Sequence, residues 1–241
     1  VTTLRSLLFS LLFYLTTAVF GLLILLVSRL ASYRMMAQIG RGWSLASLWL
    51  LSLVCGLRHR VQGKERLPDG PFVVLCKHQS TWETISLRQL LPLTQSWVLK
   101  RELLRIPIFG WALAQYEPIA IDRSAGRKAM RQLLEQGQFQ LAKGRCVVIF
   151  PEGTRVAAGQ RGRYNIGGAL LAEKAGVPVV PIAHNAGVFW RRRGIRKYPG
   201  IIDVVIGEPI ETAGRKASEI NAAAEEWIEM TVAQLPGPGP I

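Results

Sequence analysis

An uncharged run of 21 residues, LLFSLLFYLTTAVFGLLILLV at 7–27, bounds what this chain can fold into. As a helix rising 1.5 Å per residue it spans roughly 30 Å, about the hydrocarbon thickness of a bilayer. Arg5 and Arg29 flank it. A cleaved signal peptide has a shorter apolar region followed by a small-x-small site, which is not found here. A retained membrane helix is therefore expected. A second apolar stretch, 43–57, has 15 residues before Arg58-His59-Arg60. That length leaves open a second crossing, a re-entrant or interfacial helix, and a buried core helix. Trp43 and Trp49 suit a headgroup-level anchor, and Arg29, Arg34 and Arg41 place the intervening loop on the cytoplasmic side. Residues 1–59 thus read as a membrane-anchoring segment.

Charge narrows the partners. The net charge is +14, and residues 1–60 hold six Arg and no acid. Such an excess points to nucleic acid, anionic lipid headgroups or phosphorylated substrates. Cys55, Cys76 and Cys146 are an odd set without paired spacing, and the last two sit in apolar runs. Buried free thiols are expected, with no disulfide and no metal set.

From residue 60 the pattern alternates between short apolar runs and helical stretches. Strands are predicted at 72–76, 96–99, 118–121, 146–150, 177–183 and 202–206. Helices are predicted at 83–91, 102–115 (interrupted at Pro107 and Gly110), 126–143, 166–175 and 216–235. The last places Ile220, Ala224, Trp227, Ile228 and Leu235 along one face. Residues 236–241, beginning Pro-Gly-Pro-Gly-Pro, cannot continue that helix and read as a disordered tail. The fold class is α/β: a mixed, mostly parallel sheet flanked by helices over 60–235, behind N-terminal hydrophobic membrane helices.

Chemistry concentrates in His78-Gln79-Ser80-Thr81-Trp82-Glu83 and Phe150-Pro151-Glu152-Gly153-Thr154-Arg155. His78 follows an apolar strand and precedes a helix, the strand end where α/β folds collect their sites. Within one helix, His78 and Glu83 would lie on different faces. They meet only if His78 occupies the turn and Glu83 the first helical turn. A carboxylate on one imidazole nitrogen fixes the tautomer and leaves the other free as a base. Ser80 and Thr81 read as helix caps rather than nucleophiles. In the second motif Gly153 allows a tight turn, Thr154 offers a hydroxyl, and Arg155 can bind phosphate through two parallel hydrogen bonds. Arg123 closes the strand PIAI and Lys100 the strand SWVL, so cations from separate strand ends converge near one histidine.

HQSTWE, the IDR at 121–123, FPEGTR and VPVVPIA at 177–183 resemble the four ordered motif blocks of the PlsC-like glycerolipid acyltransferases. Lys100-Arg-Glu-Leu-Leu with Pro107 and Gly110 resembles the segment between the first two. The resemblance covers roughly 60–210. It implies direct acyl transfer from acyl-CoA or acyl-carrier protein to the 2-hydroxyl of lysophosphatidic acid, giving phosphatidic acid. His78 would be the base and Glu83 its orienter. Arg123, Arg155 and Lys100 would bind the acceptor phosphate, while Glu152, Gly153 and Thr154 shape the pocket. No cofactor or metal is required. The similar N-terminus of bacterial members implies the inner membrane, with the catalytic domain facing the cytoplasm. Three departures stand out: Glu83 where the family usually has Asp, Val156 where Ser is common, and Asn165 where a basic residue is common.

Phe189, Trp190, Arg191, Arg192 and Arg193 read as a membrane-surface loop, aromatics entering the interface and cations meeting anionic lipid phosphates. No nucleic-acid partner is expected. Two alternatives remain open: an acyltransferase acting on another lysolipid, and a non-catalytic basic membrane adaptor.

Overall fold

The computed structural model describes residues 1–122 and 125–237; Arg123, Ser124 and 238–241, and so most of the expected tail, lie outside the described residues. The chain opens with α1 (Thr2–Val27), the one helix among the described residues long and apolar enough to cross a membrane. Much of its apolar surface is uncovered, with Leu11 67% and Leu26 81% exposed. Its first turns are different. Phe9 is fully buried in the same apolar cluster as the sheet, and Ser6 Oγ accepts from Lys197 N at 2.9 Å.

The second apolar stretch belongs to α2 (Tyr33–Cys55), which begins ten residues before the expected start at 43. Ser32 caps its start, accepting from Met35 N, and Gly56 ends it in the left-handed conformation that glycine adopts without strain. One face is buried against the fold through Met36, Gly40, Ser44, Ser47 and Leu51. Ser44 Oγ donates to Ile85 O at 2.7 Å. The opposite stripe, Leu45, Trp49 and Leu53, is exposed. Trp43 does not share it: its indole N–H donates to Thr17 Oγ1 of α1 at 3.0 Å. Trp43 is therefore an α1–α2 contact rather than a headgroup anchor.

Gly56 leads directly into β1 (Leu57–Gln62), an unexpected strand because Leu57 continues the apolar run and Arg58 and Arg60 look like its basic flank. The expected boundary at 59/60 falls inside this strand. Apart from the short α7 (Ala186–Phe189), which was not expected, the remaining elements alternate as expected: β2 (Val73–Cys76), α3 (Trp82–Leu90), β3 (Gln95–Lys100), α4 (Phe109–Ala114), β4 (Ile119–Ile121), α5 (Arg127–Ala142), β5 (Cys146–Ile149), α6 (Gly167–Ala175), β6 (Val179–His184), β7 (Gly200–Ile206) and α8 (Ala217–Gln234). The stretch expected as one interrupted helix over 102–115 divides into a 3₁₀ turn, Arg101–Arg105, and α4.

The strands form one sheet in the order β1-β7-β6-β2-β5-β3-β4. All neighbours are parallel except β6 and β7, so β1 and β7 run against the other five. In β2, Val74 and Cys76 face one apolar cluster with Trp82 of α3 and Leu51 of α2. Val73 and Leu75 face the other, with Leu171 of α6 and Ile220, Ala224 and Ile228 of α8. A strand buried on both faces must be continuously apolar, which is why 73–76 shows no alternation. Cys55, Cys76 and Cys146 are buried free thiols.

Candidate active site

The carboxyl ends of β2, β5, β3 and β6 share one edge of the sheet, and the chemistry gathers there. His78 lies in the turn after β2, and Glu83 is the second residue of α3. His78 Nδ1 donates to Glu83 Oε1 at 2.8 Å. The same oxygen accepts from Gln79 N at 2.7 Å and Ser80 N at 2.6 Å. The turn thus wraps its own amides around the carboxylate of the following helix, and five residues of separation become a direct contact. Glu83 is fully buried. Burial opposes its ionisation most strongly. The His184 and His78 imidazoles and the bonds from His78 and Ser80 outweigh it and hold the carboxyl below its ordinary range. An ionised carboxylate only accepts, so Nδ1 carries the proton and Nε2 is left free. Ser80 Oγ accepts from Trp82 N at 3.2 Å just ahead of α3, whereas the N-cap residue, Thr81, makes no side-chain capping bond, so the capping expected of the pair is corrected for Thr81.

The second motif clamps the peptide of His78. His78 N donates to Glu152 Oε2 at 2.7 Å, and Val156 N donates to His78 O at 2.8 Å. Phe150 stacks on the imidazole, with centroids 4.1 Å apart and planes at 17°. Gly153, at a φ of 68°, turns the loop in the left-handed conformation. Glu152 Oε1 pairs with Lys77 Nζ at 2.7 Å, and Lys77 also pairs with Glu229 of α8 at 2.6 Å. Tyr164 Oη donates to Glu229 at 2.9 Å. Burial pushes the Glu152 carboxyl up despite these partners. Neither Lys77, beside His78 at the end of an apolar strand, nor Glu229, on a helix that looks merely amphipathic, stands out in the sequence. Position at a strand end was the available signal for Lys77, and likewise for His184.

His78 opens on a cleft of about 510 Å³. Arg155 and Lys100 line it too, with Phe13 of α1, Trp43 of α2, Trp97 and Phe109. Lys100 is exposed, 3.6 Å from Glu102. Gly153 and Thr154 instead line a neighbouring cavity with Asn165, whose amide donates to Pro151 O at 2.8 Å. Arg123, the third expected cation, lies outside the described residues.

The basic loop divides. Trp190 is buried, edge-on to Phe9 at 5.6 Å, and Phe189 is half-buried against the same cluster. The expectation that these aromatics enter a membrane interface is corrected for Trp190, whose ring is already taken up by α1. Arg192 donates to Arg155 O at 2.5 Å, bracing the second motif. Arg191 and Arg193 are exposed.

Fold and site together define a class: an α/β protein whose carboxylate-oriented histidine faces an apolar, cation-lined cleft at the carboxyl edge of the parallel part of a mixed sheet. Residues 58–185 match the family described as Acyltransferase, and the chain belongs to that family; it is an acyltransferase. It is 46% identical to the 1-acyl-sn-glycerol-3-phosphate acyltransferase of Pseudomonas aeruginosa, over 98% of this chain and 93% of that one. It is 32% identical to the alpha 1-acyl-sn-glycerol-3-phosphate acyltransferase of Bos taurus, across 70% of this chain and 60% of the bovine one. The crystal structure of the 1-acyl-sn-glycerophosphate acyltransferase PlsC from Thermotoga maritima has the same fold, with a TM-score of 0.81 at 24% identity over the whole of both chains.

Proposed function

We propose that the chain transfers a fatty acyl group from acyl-CoA or acyl-carrier protein to the 2-hydroxyl of 1-acylglycerol 3-phosphate. The observation that carries this reading is the His78–Glu83 contact at the head of a cleft that also holds Arg155 and Lys100. The Pseudomonas relative bears the matching name. His78 Nε2 takes the hydroxyl proton as the oxygen attacks the thioester carbonyl carbon. The tetrahedral adduct collapses, the carbon–sulfur bond breaks, and the thiolate recovers the proton from His78. Glu83 holds the ring and stabilises the transient imidazolium. Arg155 and Arg123 bind the acceptor phosphate, with Lys100 as a weaker contributor. The apolar wall formed by Phe13, Trp43, Trp97 and Phe109 takes hydrocarbon chain.

Membrane placement follows the same surfaces. The uncovered side of α1, the Leu45, Trp49 and Leu53 stripe, and exposed Ile106, Phe109 and Trp111 present apolar area that water would penalise. Placed in a bilayer, they bring the cleft to the level where a lysolipid resides. Arg191 and Arg193 then meet anionic headgroups, each contributing on the order of 1 kcal/mol. The positive flank supports a cytoplasmic orientation at a bacterial inner membrane.

The test is purified protein in detergent, offered lysophosphatidic acid with acyl-CoA or acyl-carrier protein, the diacyl product being read by mass spectrometry. Failure to form diacyl product with either donor would refute the substrate assignment. In the same assay Arg155→Ala is expected to raise the acceptor KM about 10–100-fold, the loss of one charged hydrogen-bonding partner, with the donor KM little changed. Equal rises for both substrates would remove Arg155 from the phosphate site.

A further inference from the structure

Glu83 uses its two oxygens unequally. Oε1 accepts from three N–H groups, whereas Oε2 is buried without a hydrogen bond. A buried carboxylate oxygen left unsupported is costly, more so than a neutral one. His184, the last residue of β6, stands with Nε2 3.9 Å from that oxygen. Its tautomer is fixed by its partners. Nδ1 accepts from Ala186 N at 3.2 Å, so the proton is on Nε2, which donates to Lys77 O at 2.8 Å. One N–H therefore holds the carbonyl just before His78 and lies beside the free oxygen of its orienter.

We propose that His184 is a positioning residue for the base, so that the working unit is His184–Glu83–His78 rather than a pair. This rests on the reading of His78 as the base. His184 is buried and touches no substrate; it acts through Glu83 by favouring its ionised form and through Lys77 by fixing the turn. Burial lowers the affinity of His184 for a second proton, so it serves as a neutral N–H dipole. The charged groups around it already have partners. From β2, Lys77 is held by Glu152 and Glu229, the latter from α8. From β7, Asp203 is turned to Arg60 of β1. From α3, Glu83 is the partner itself, with Trp82 edge-on to the imidazole at 6.0 Å. The arrangement also suits the longer acid, since an aspartate at position 83 carries its carboxylate one methylene less far.

The test compares His184→Gln, which keeps an N–H donor, with His184→Leu, which does not, in the detergent assay. His184→Leu is expected to lower kcat about 10–100-fold, the size of effect known for outer partners that orient metal-bound imidazoles, with both KM values within about twofold. Its acidic limb should move to higher pH, because Glu83, less well supported, ionises only at higher pH. His184→Gln should stay within about threefold of wild type with the limb unmoved. In a Glu83→Asp background His184→Leu should cost little more, since the carboxylate has been withdrawn. Wild-type kcat and limb in His184→Leu would overturn the proposal, as would independent, multiplicative effects of the two substitutions. Should the leucine variant not fold, His184→Gln decides: near wild-type kcat supports the donor role, and a tenfold or greater loss with KM values and limb unchanged overturns it. His78→Ala separates the two readings. If it remains active, the base assignment fails and this inference with it; if it is inactive while His184→Leu is unaffected, only this inference fails.

Discussion

His78→Ala is expected to lower kcat by about 10³-fold, within the 10²–10⁴ range of a positioned general base, while both KM values change by less than about threefold. On the proposed mechanism the loss falls on kcat, because there the imidazole works on the proton that moves in the transition state while the cleft walls and Arg155 hold the ground state. The fold should survive the change. His78 is anchored by its own peptide, through Glu152 and Val156, and those contacts do not involve the ring. Steady-state kinetics with acceptor and donor varied in turn checks this, alongside thermal unfolding in the same detergent. Retention of a tenth or more of wild-type kcat would remove His78 from the chemistry.

Lys77→Met is expected to destabilise the protein by about 3–5 kcal/mol, the usual cost of removing one partner of a buried ion pair. Lys77 is completely buried and is shared by Glu152 and Glu229. Without it, two carboxylates face one another with Tyr164 and the His78 amide as their remaining donors. The penalty belongs to the charged carboxylates, so it should shrink as pH falls and Glu152 takes up a proton. Burial already raises the Glu152 carboxyl, and loss of the ammonium raises it further. Adding Glu152→Gln and Glu229→Gln to Lys77→Met should recover part of the stability at neutral pH. Thermal unfolding at pH 5 and pH 7 reads both effects. An unfolding temperature within about 2 °C of wild type at pH 7 would contradict the assignment, given a shift of about 2–4 °C per kcal/mol for a chain of this size.

These expectations differ in how far the sequence anticipated them. His78 and Glu83 are five residues apart, and a strand end followed by a helix cap leaves one local geometry in which they meet. That contact was legible because it is local. The Lys77–Glu229 pair spans 152 residues, and the Lys77–His184 bond 107. No spacing rule reaches so far; such partners are chosen by the order in which β6, β2 and β5 lie side by side. Trp190 shows the opposite error. An aromatic beside three arginines reads as an interfacial anchor until α1 is seen to lie across it. The strand β1 went unread for a related reason. Arg58 and Arg60 project from an edge strand whose partner, β7, lies some 140 residues away in the chain.

By itself the sequence determined the alternation of strands and helices, the apolar length of α1, and the placing of an imidazole and a carboxylate at one turn. All three follow from periodicity and short-range sterics, which act within a few residues. Only the tertiary structure decided that α1 and α2 are built into the α/β fold through Phe9, Leu51 and Cys55, and that a buried lysine joins the turn of His78 to α8. It also decided that His184 stands behind Glu83. Those choices come from burial, which brings distant residues together and leaves each buried charge stable only beside a partner that the local sequence does not name.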